Sequence, residues 1–461
     1  MTKRNTKSRR AAPAVAPSTD LRQSEAELKS LVADILAEAR RQGASAAEVS
    51  ASADTGLTVS VRKGSLETIE LNQDRGFGIT VYFGARKGSA STSDSSRNAI
   101  RETVRAAANI ARFTQEDPCN GLADAELMPT TVPDLDLFHP WDLDPARAEA
   151  LALECEQATF EHDRRVVNSE GAQVSTQQSC RVYGNSHGFI GSVLGTRHGL
   201  SCVAIAEDDS GMQRDYWYTT ARLPSSLEAA ASVGTRAAAR AVARLSPRRV
   251  QTGRFPVLYA PEVASGLIGH LLNALSGGAQ YRKASFLLGA LGQQVAAGHL
   301  SLVEEPHLPQ RVGSAAFDGE GVATWSKAFV AGGIAEHYVL SSYSARRLGM
   351  RTTGNAGGVF NLTVRGDSRP VADLLKTMHR GLLVTELMGQ GVNGVTGDYS
   401  RGAAGFWVEN GEIAFPVDEI TIAGNLKDMY HGLELIGDDV DERGNIRTGS
   451  LLIREMTIAS S

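Results

Sequence analysis

Apolar positions three and four residues apart mark the first element. Leu28, Leu31, Val32, Ile35 and Ala39 fall on one helical face. Ser24 and Glu27 ahead of them have the spacing of a capping box, and Gly43 supplies a stop. The period then changes. "LTVSVRKGSLETIEL" alternates apolar and polar residues on both sides of a Lys-Gly-Ser turn, and "GFGITVYFG" continues the alternation, so strands are predicted. Ile100, Val104, Ala108 and Ala111 return to the helical period over about Ser96 to Phe113. Residues 24–118 thus read as a small α+β domain behind a tail, 1–23, predicted to be disordered.

A polar, proline-bearing connector, "DPCNGLADAELMPTTVPDLDLFHP", precedes a second region, 140–246. A helix is predicted around Pro145–His162, then strand-like segments rich in small and polar residues, which suggest a sheet with one wet face. An Ala-rich helix from about Ser225 to Leu245 closes this region. "SPRRVQTGRFP" is the next boundary, and residues 250–458 form the largest domain. Near its end Asn425 is placed to cap a helix with Leu426, Met429, Tyr430 and Leu433 on one face and Gly437 as its stop. The fold class expected is α+β, with a large mixed or antiparallel sheet in the C-terminal half.

Composition narrows the function classes. The 461 residues are enough for about three domains. A net charge of −5 gives no general attraction to nucleic acid or anionic membranes, and no apolar run is long enough to span a bilayer. The basic N-terminus lacks the apolar stretch of a secretory signal. The four cysteines are scattered, so reduced thiols and a cytoplasmic location are expected. None lies beyond Cys202.

Gly389, Gly391 and Gly394 have the spacing G-x-G-x-x-G. A dinucleotide loop needs a helix opening on its last glycine. Here "GVTGDYSRGAAG" is full of breakers, and "FWVENGEIAF" reads as a hairpin around Asn410-Gly411. The glycines are therefore assigned to a connection between strands carrying Asn393, Asp398, Tyr399, Ser400 and Arg401. That loop is either a sharp structural turn, the favoured reading, or a surface shaped to hold an extended peptide or partner.

Other chemistry is sparse. None of the ten histidines makes an H-E-x-x-H or H-x-x-x-H pair, and His270 sits alone on an amphipathic helix with Val263, Leu267, Leu271 and Ala274. Ser341, Ser342 and Ser344 are nucleophile candidates by type only, with no triad distinguishable. Asp318 and Glu320 lack a full oxygen shell for a cation, which favours a turn. The basic segments "RKASFLLG" and "SARRLGMRTTGNAGG" could hold a carboxylate or phosphate but read first as solvated charge.

Several stretches together resemble the PmbA/TldD family, also called modulator of DNA gyrase. They are "TELMGQGVNGVTGDYSRGAAGFWVENGEIAFPVDEITIAGNLKDM", "FDGEGVATW", "SSYSARRLGMRTTGNA", "RKASFLLG", "VRKGSLETIELNQDRGFGITVYFG" and "GSASTSD". The likeness runs from about Ser24 to Ile458. It implies one half of a heterodimeric metalloprotease acting on unfolded peptides, including a peptide-antibiotic precursor and an antitoxin. In the TldD branch an H-E-x-x-x-H helix and a later cysteine hold zinc; the PmbA branch, also called TldE, lacks these ligands, and the wording here is similar to PmbA. Against "GLIGHLLNALSGGAQYRK" the zinc helix puts its ligand and glutamate positions near Gly269, His270 and Ala274, and no register yields two histidines. Zinc is accordingly expected on a TldD-type partner and not on this chain, which is left without catalytic or metal residues. The loop Gly391, Asn393, Asp398, Tyr399, Ser400 and Arg401 becomes a candidate peptide or partner contact. The alternative kept open is a stand-alone homodimer that binds peptides or modulates a target such as gyrase; a hydrolase with an unrecognised site is a third.

Overall fold

A computed structural model describes residues 21–460. The N-terminal half runs α1 (Leu21–Arg41), β1 (Ala46–Arg62), β2 (Ser65–Phe83), β3 (Arg86–Thr92), α2 (Arg97–Phe113), α3 (Pro145–His162), β4 (Val166–Asn185), β5 (Ile190–Asp208), β6 (Gly211–Ala221) and α4 (Ala230–Ala243). Its strands form one sheet, ordered β3-β2-β1-β4-β5-β6. The two regions that look separate in sequence share it, because β1 pairs antiparallel with β2 on one side and with β4 on the other. Glu156 of α3 strengthens the join by accepting the backbone N–H groups of Lys63 and Gly64 at the β1–β2 turn, at 2.9 and 2.8 Å. That turn has positive φ at both central residues, 52° and 69°, the twist that suits a two-residue hairpin.

All four helices cover one face of the sheet. α1 and α2 bury Val32, Ile35, Val104 and Ala108 against Val49, Ile79 and Val182. α3 and α4 bury Ala152, Cys155, Val233 and Ala237 against Val59, Val174 and Cys202. The alternate residues of the strands, Ser50, Ser52, Ser179 and Arg181 among them, point to the other face. That face and C-terminal loops carrying Phe317, Asp318 and Phe360 enclose a cavity of about 1080 Å³.

The C-terminal half runs β7 (Gly253–Tyr259), α5 (Pro261–Ala274), α6 (Gly277–Tyr281), β8 (Ser301–Glu304), β9 (Lys327–Ala331), β10 (Ile334–Ala335), α7 (Ser342–Arg347), β11 (Leu362–Arg365), β12 (Ser368–Arg369), α8 (Val371–Met378), β13 (Gly381–Met388), β14 (Asp398–Glu409), β15 (Glu412–Asn425), α9 (Leu426–His431), β16 (Leu433–Gly437), β17 (Ile446–Arg447) and β18 (Leu451–Ser460). The large sheet is mixed: β13 pairs parallel with β7 and antiparallel with β14. It also closes on itself, because β18 pairs with both β15 and β7. The ring packs Tyr259, Trp407, Tyr399 and Tyr430 with the apolar face of α5 into the main core. Five shorter strands, β10-β9-β8-β11-β17, form a third sheet. The α+β class stands.

Three local expectations need correction. Ser24 is not an N-cap, because α1 already includes Leu21; the Ser24 hydroxyl is buried and has no hydrogen-bond partner. The same helix takes in residues 21–23 of the expected tail; the rest of that expectation lies outside the described residues. The helix capped by Asn425 ends at His431, and Leu433–Gly437 is a strand paired to β18. Pairing across the sheet outweighs the helical spacing of Leu433 there. Among the described residues no helix is long and apolar enough to cross a membrane.

Candidate functional site

The glycine-rich segment joins β13 to β14, so it leads into a strand and not into a helix. Gly391 is there for contact: a Cβ on it would meet the Ser400 carbonyl oxygen at 1.9 Å. Ser400 N–H in turn donates to the Gly391 carbonyl at 2.7 Å, while its side chain is exposed. Asn393 folds the tip, its side-chain oxygen accepting from Val395 N and Thr396 N at 2.9 and 3.2 Å. Asp398 accepts from the Thr396 hydroxyl at 2.6 Å and from the Asn425 side-chain nitrogen at 3.3 Å. Gly391, Asn393, Asp398 and Ser400 therefore build the loop.

Tyr399 and Arg401 point the other way along β14, toward α5. The rings of Tyr399 and His270 meet edge to face with centroids 6.2 Å apart. Tyr399 is buried, with Tyr259 and Arg401 beside its hydroxyl, and burial pushes its pKa up. His270 is half-buried. Burial first, then the Arg401 charge, holds its imidazole below the ordinary value, so it is neutral at neutral pH. The structure thus brings His270 of α5 to Tyr399 and Arg401 of β14, far away in sequence, and separates all three from the loop tip.

Beside them lies a second cavity of about 360 Å³, between α4 and β6 on one side and α5, β13 and β14 on the other. Arg240 of α4 bridges Asp215 and Glu262 at 3.0 and 2.8 Å. Arg244, one turn on, reaches Asp215 at 3.7 Å and also pairs with Glu386. Sequence reasoning missed this network. The one usable signal was the Arg240/Arg244 pair at i,i+4; its carboxylates come from β6, α5 and β13, which only folding brings together.

The remaining candidates are structural in geometry. The Asp318 carboxylate accepts the N–H groups of Glu320, Val322 and Ala356 at 2.9, 3.0 and 2.9 Å, so it staples the loop. Ser341 caps α7 in a reciprocal capping box with Ser344. Arg346 is not solvated charge: it donates to the carbonyls of Gly121 and Leu122, and Tyr343 bonds Asp117 at 2.8 Å, so the basic segment clasps the inter-domain connector. As for a metal, α5 presents His270 alone, Glu262 is engaged by Arg240, and every cysteine lies at or before Cys202. Among the described residues no group of three or more His, Cys, Asp or Glu side chains could hold an ion. The donors here do not fit a catalytic zinc.

A closed mixed sheet joined to a six-stranded N-terminal sheet, with α5 against the ring, defines the class; comparison with known proteins gives the family. The PmbA/TldA metallopeptidase domain 1, central domain and C-terminal domain match residues 47–111, 138–245 and 252–460. Metalloprotease PmbA of Escherichia coli O157:H7 is 50% identical over 413 residues, 90% of this chain and 92% of that one. The Haemophilus influenzae PmbA homolog is 46% identical over 97% of this chain and all (100%) of its own. Among solved structures, a Bacteroides thetaiotaomicron protein named as a modulator of DNA gyrase superposes with a TM-score of 0.89 at 26% identity, covering 94% of this chain and 99% of that one. TldE of Thermococcus kodakarensis shares the fold, with a TM-score of 0.81 at 19% identity over 93% and 100%. The chain belongs to the PmbA/TldD metallopeptidase family.

Proposed function

We propose that this chain is the non-catalytic, substrate-chamber subunit of a TldD/TldE-type heteromeric metalloprotease that degrades or processes unfolded peptides. The observation that carries the reading is the donor set at α5. One half-buried histidine, no cysteine in the C-terminal domain and a glutamate tied to arginine cannot seat the ion that a metallopeptidase needs. A chain kept in a metalloprotease family without those ligands is best used as the partner of one that has them. Zinc then sits on the TldD-type subunit, and this chain supplies walls. The cavity of about 1080 Å³, lined by serines and glycines of the uncovered sheet face, has room and polar groups for an extended peptide. Four free cysteines, three of them buried, suit a cytoplasmic location.

Zinc content and cleavage of an unfolded peptide should be measured for this chain, for its TldD-type partner and for the mixture. Zinc and activity should track the partner, with activity rising on addition of this chain. Equal cleavage by the partner alone defeats the proposal.

A second reading, a stand-alone peptide-binding homodimer acting as a gyrase modulator, draws on the name carried by the Bacteroides relative. The net charge of −5 argues against direct DNA contact in that case. Native mass separates the two: a homodimer that never exchanges with the partner favours the second.

A further inference from the structure

The smaller cavity has an unbalanced wall. Four arginines, Arg214, Arg240, Arg244 and Arg401, face three carboxylates, Asp215, Glu262 and Glu386. Each of these carboxylates is already held by Arg240, Arg244 or both. Arg214 has its own partner in Glu170 at 2.9 Å, outside the cavity wall. Arg401 is left. Among the described residues no carboxylate stands within ion-pair distance of it. Its polar neighbour is the neutral hydroxyl of Tyr399, and its Nε is buried without a hydrogen-bond partner. Thr385 Oγ1, in the same wall, is a second buried polar atom without one.

A half-buried cation lacking a counter-charge is costly, since desolvation is not offset by pairing. The neighbouring His270 cannot relieve it, being neutral or a cation. An incoming anion can. The guanidinium offers a planar fork matched to a carboxylate, and the surrounding carboxylates, each already matched to an arginine, confine that attraction to one place. The volume of about 360 Å³ lies at the small end of ligand sites, enough for the end of a peptide but not for a folded chain.

We infer that this cavity, between α4 and β6 on one side and α5, β13 and β14 on the other, is a carboxylate-binding site of this chain, with Arg401 as the anchor that takes the carboxylate of a peptide. The inference rests on the peptide-handling role proposed above and adds a ligand chemistry to it. The site orients a peptide by its terminal or acidic group, a polar anchor for the rest of the chain in the larger chamber.

The test is binding to the full chain alone, by calorimetry, with three probes: tri-alanine with a free C-terminus, its C-terminal amide, and an N-acetylated, C-amidated Ala-Asp-Ala. The free acid should bind at least about tenfold more tightly than its amide, and Arg401→Met should abolish that preference while Arg401→Lys keeps part of it. Tight binding of the amidated Asp peptide, lost in the same variant, would assign the site to acidic side chains and not chain ends. Equal affinity for acid and amide, no binding of any probe, or an unchanged preference in Arg401→Met overturns the inference. Thermal melts of both variants keep a folding defect from passing as a lost site. Stimulation of the partner's proteolysis is read separately, so a failed carboxylate site leaves the subunit role standing, and the reverse.

Discussion

Lys327→Met should be among the most damaging single changes away from either cavity. Glu304 and Lys327 face each other across β8 and β9, and both side chains are fully buried, with 0% exposure. The Lys327 ammonium bonds Glu304 and donates to the Trp325 carbonyl at 3.1 Å, with the Trp325 ring centroid 4.5 Å away. Glu304 also accepts from the Asn355 side-chain nitrogen at 2.8 Å and from Phe360 N at 2.7 Å. Burial pushes the Glu304 carboxyl up and the Lys327 ammonium down, each toward its neutral form; their pairing is the largest opposing effect, helped by the Phe360 and Asn355 hydrogen bonds to Glu304 and by the Asp318 charge near Lys327. Methionine fits the space and removes the cation, leaving a buried carboxylate with two donors and no counter-charge. Breaking such a pair costs about 3–5 kcal/mol, a large share of the ~5–15 kcal/mol that holds a domain together.

The pH dependence of this loss has a definite sign. Glu304 is already raised above its ordinary 4.5, and losing Lys327 raises it further. A raised carboxyl contributes stability that is fully present below the unfolded pKa and is lost as pH rises through the folded one. The variant should therefore lose more, relative to wild type, at about pH 8 than at about pH 5. Urea titrations followed by tryptophan fluorescence give both values, and Glu304→Gln/Lys327→Met, which keeps an acceptor for Phe360 N, should recover part of the loss. A Lys327→Met protein within about 0.5 kcal/mol of wild type at the higher pH, or a loss that does not vary with pH, would refute the reasoning.

Two further changes test the loops at Asp318 and Gly391. Burial pushes the Asp318 carboxyl up to about 6 from its ordinary 3.8, the three backbone N–H groups pulling the other way, so its contribution falls by ~3 kcal/mol as pH rises from below 3.8 through 6; Asp318→Asn should flatten that part of the wild-type stability–pH curve, and an unchanged slope counts against it. Gly391→Ala drives a Cβ into the Ser400 carbonyl and should cost ~1–3 kcal/mol by overpacking, read as a lower melting temperature, with no change meaning that the hairpin opens without strain.

Much of the architecture is written in local pattern. Ile100, Val104, Ala108 and Ala111 mark α2, and α3 begins and ends where the apolar period and Pro145 place it. Lys63-Gly64 and Asn410-Gly411 both fold as tight turns, with positive φ at each position; Asn-Gly is the pair such a turn favours, and at Lys63 the glycine alone marks it. The spacing of Leu433 misleads because a helical period carries no information about a strand partner such as β18, which comes only after β17. The capping-box motif at Ser24 misleads for a related reason: a cap motif inside a longer helix looks the same as one at its start.

The sequence by itself determined that α1 to α5 are helices, placed the tight turns and excluded a helix after the glycine loop, since each depends on residues close together. Tertiary structure alone decided that β1 sews two regions into one sheet and that β18 closes the second sheet. It also decided that Arg401, with His270 and Tyr399 packed nearby, shares a cavity wall with Arg240 and Glu262. Strand pairing and charge pairing act between residues far apart in the chain, as Gly253 with Ile458 and Arg346 with Asp124. Their partners are fixed by which surfaces the buried core brings face to face, and no local spacing encodes that.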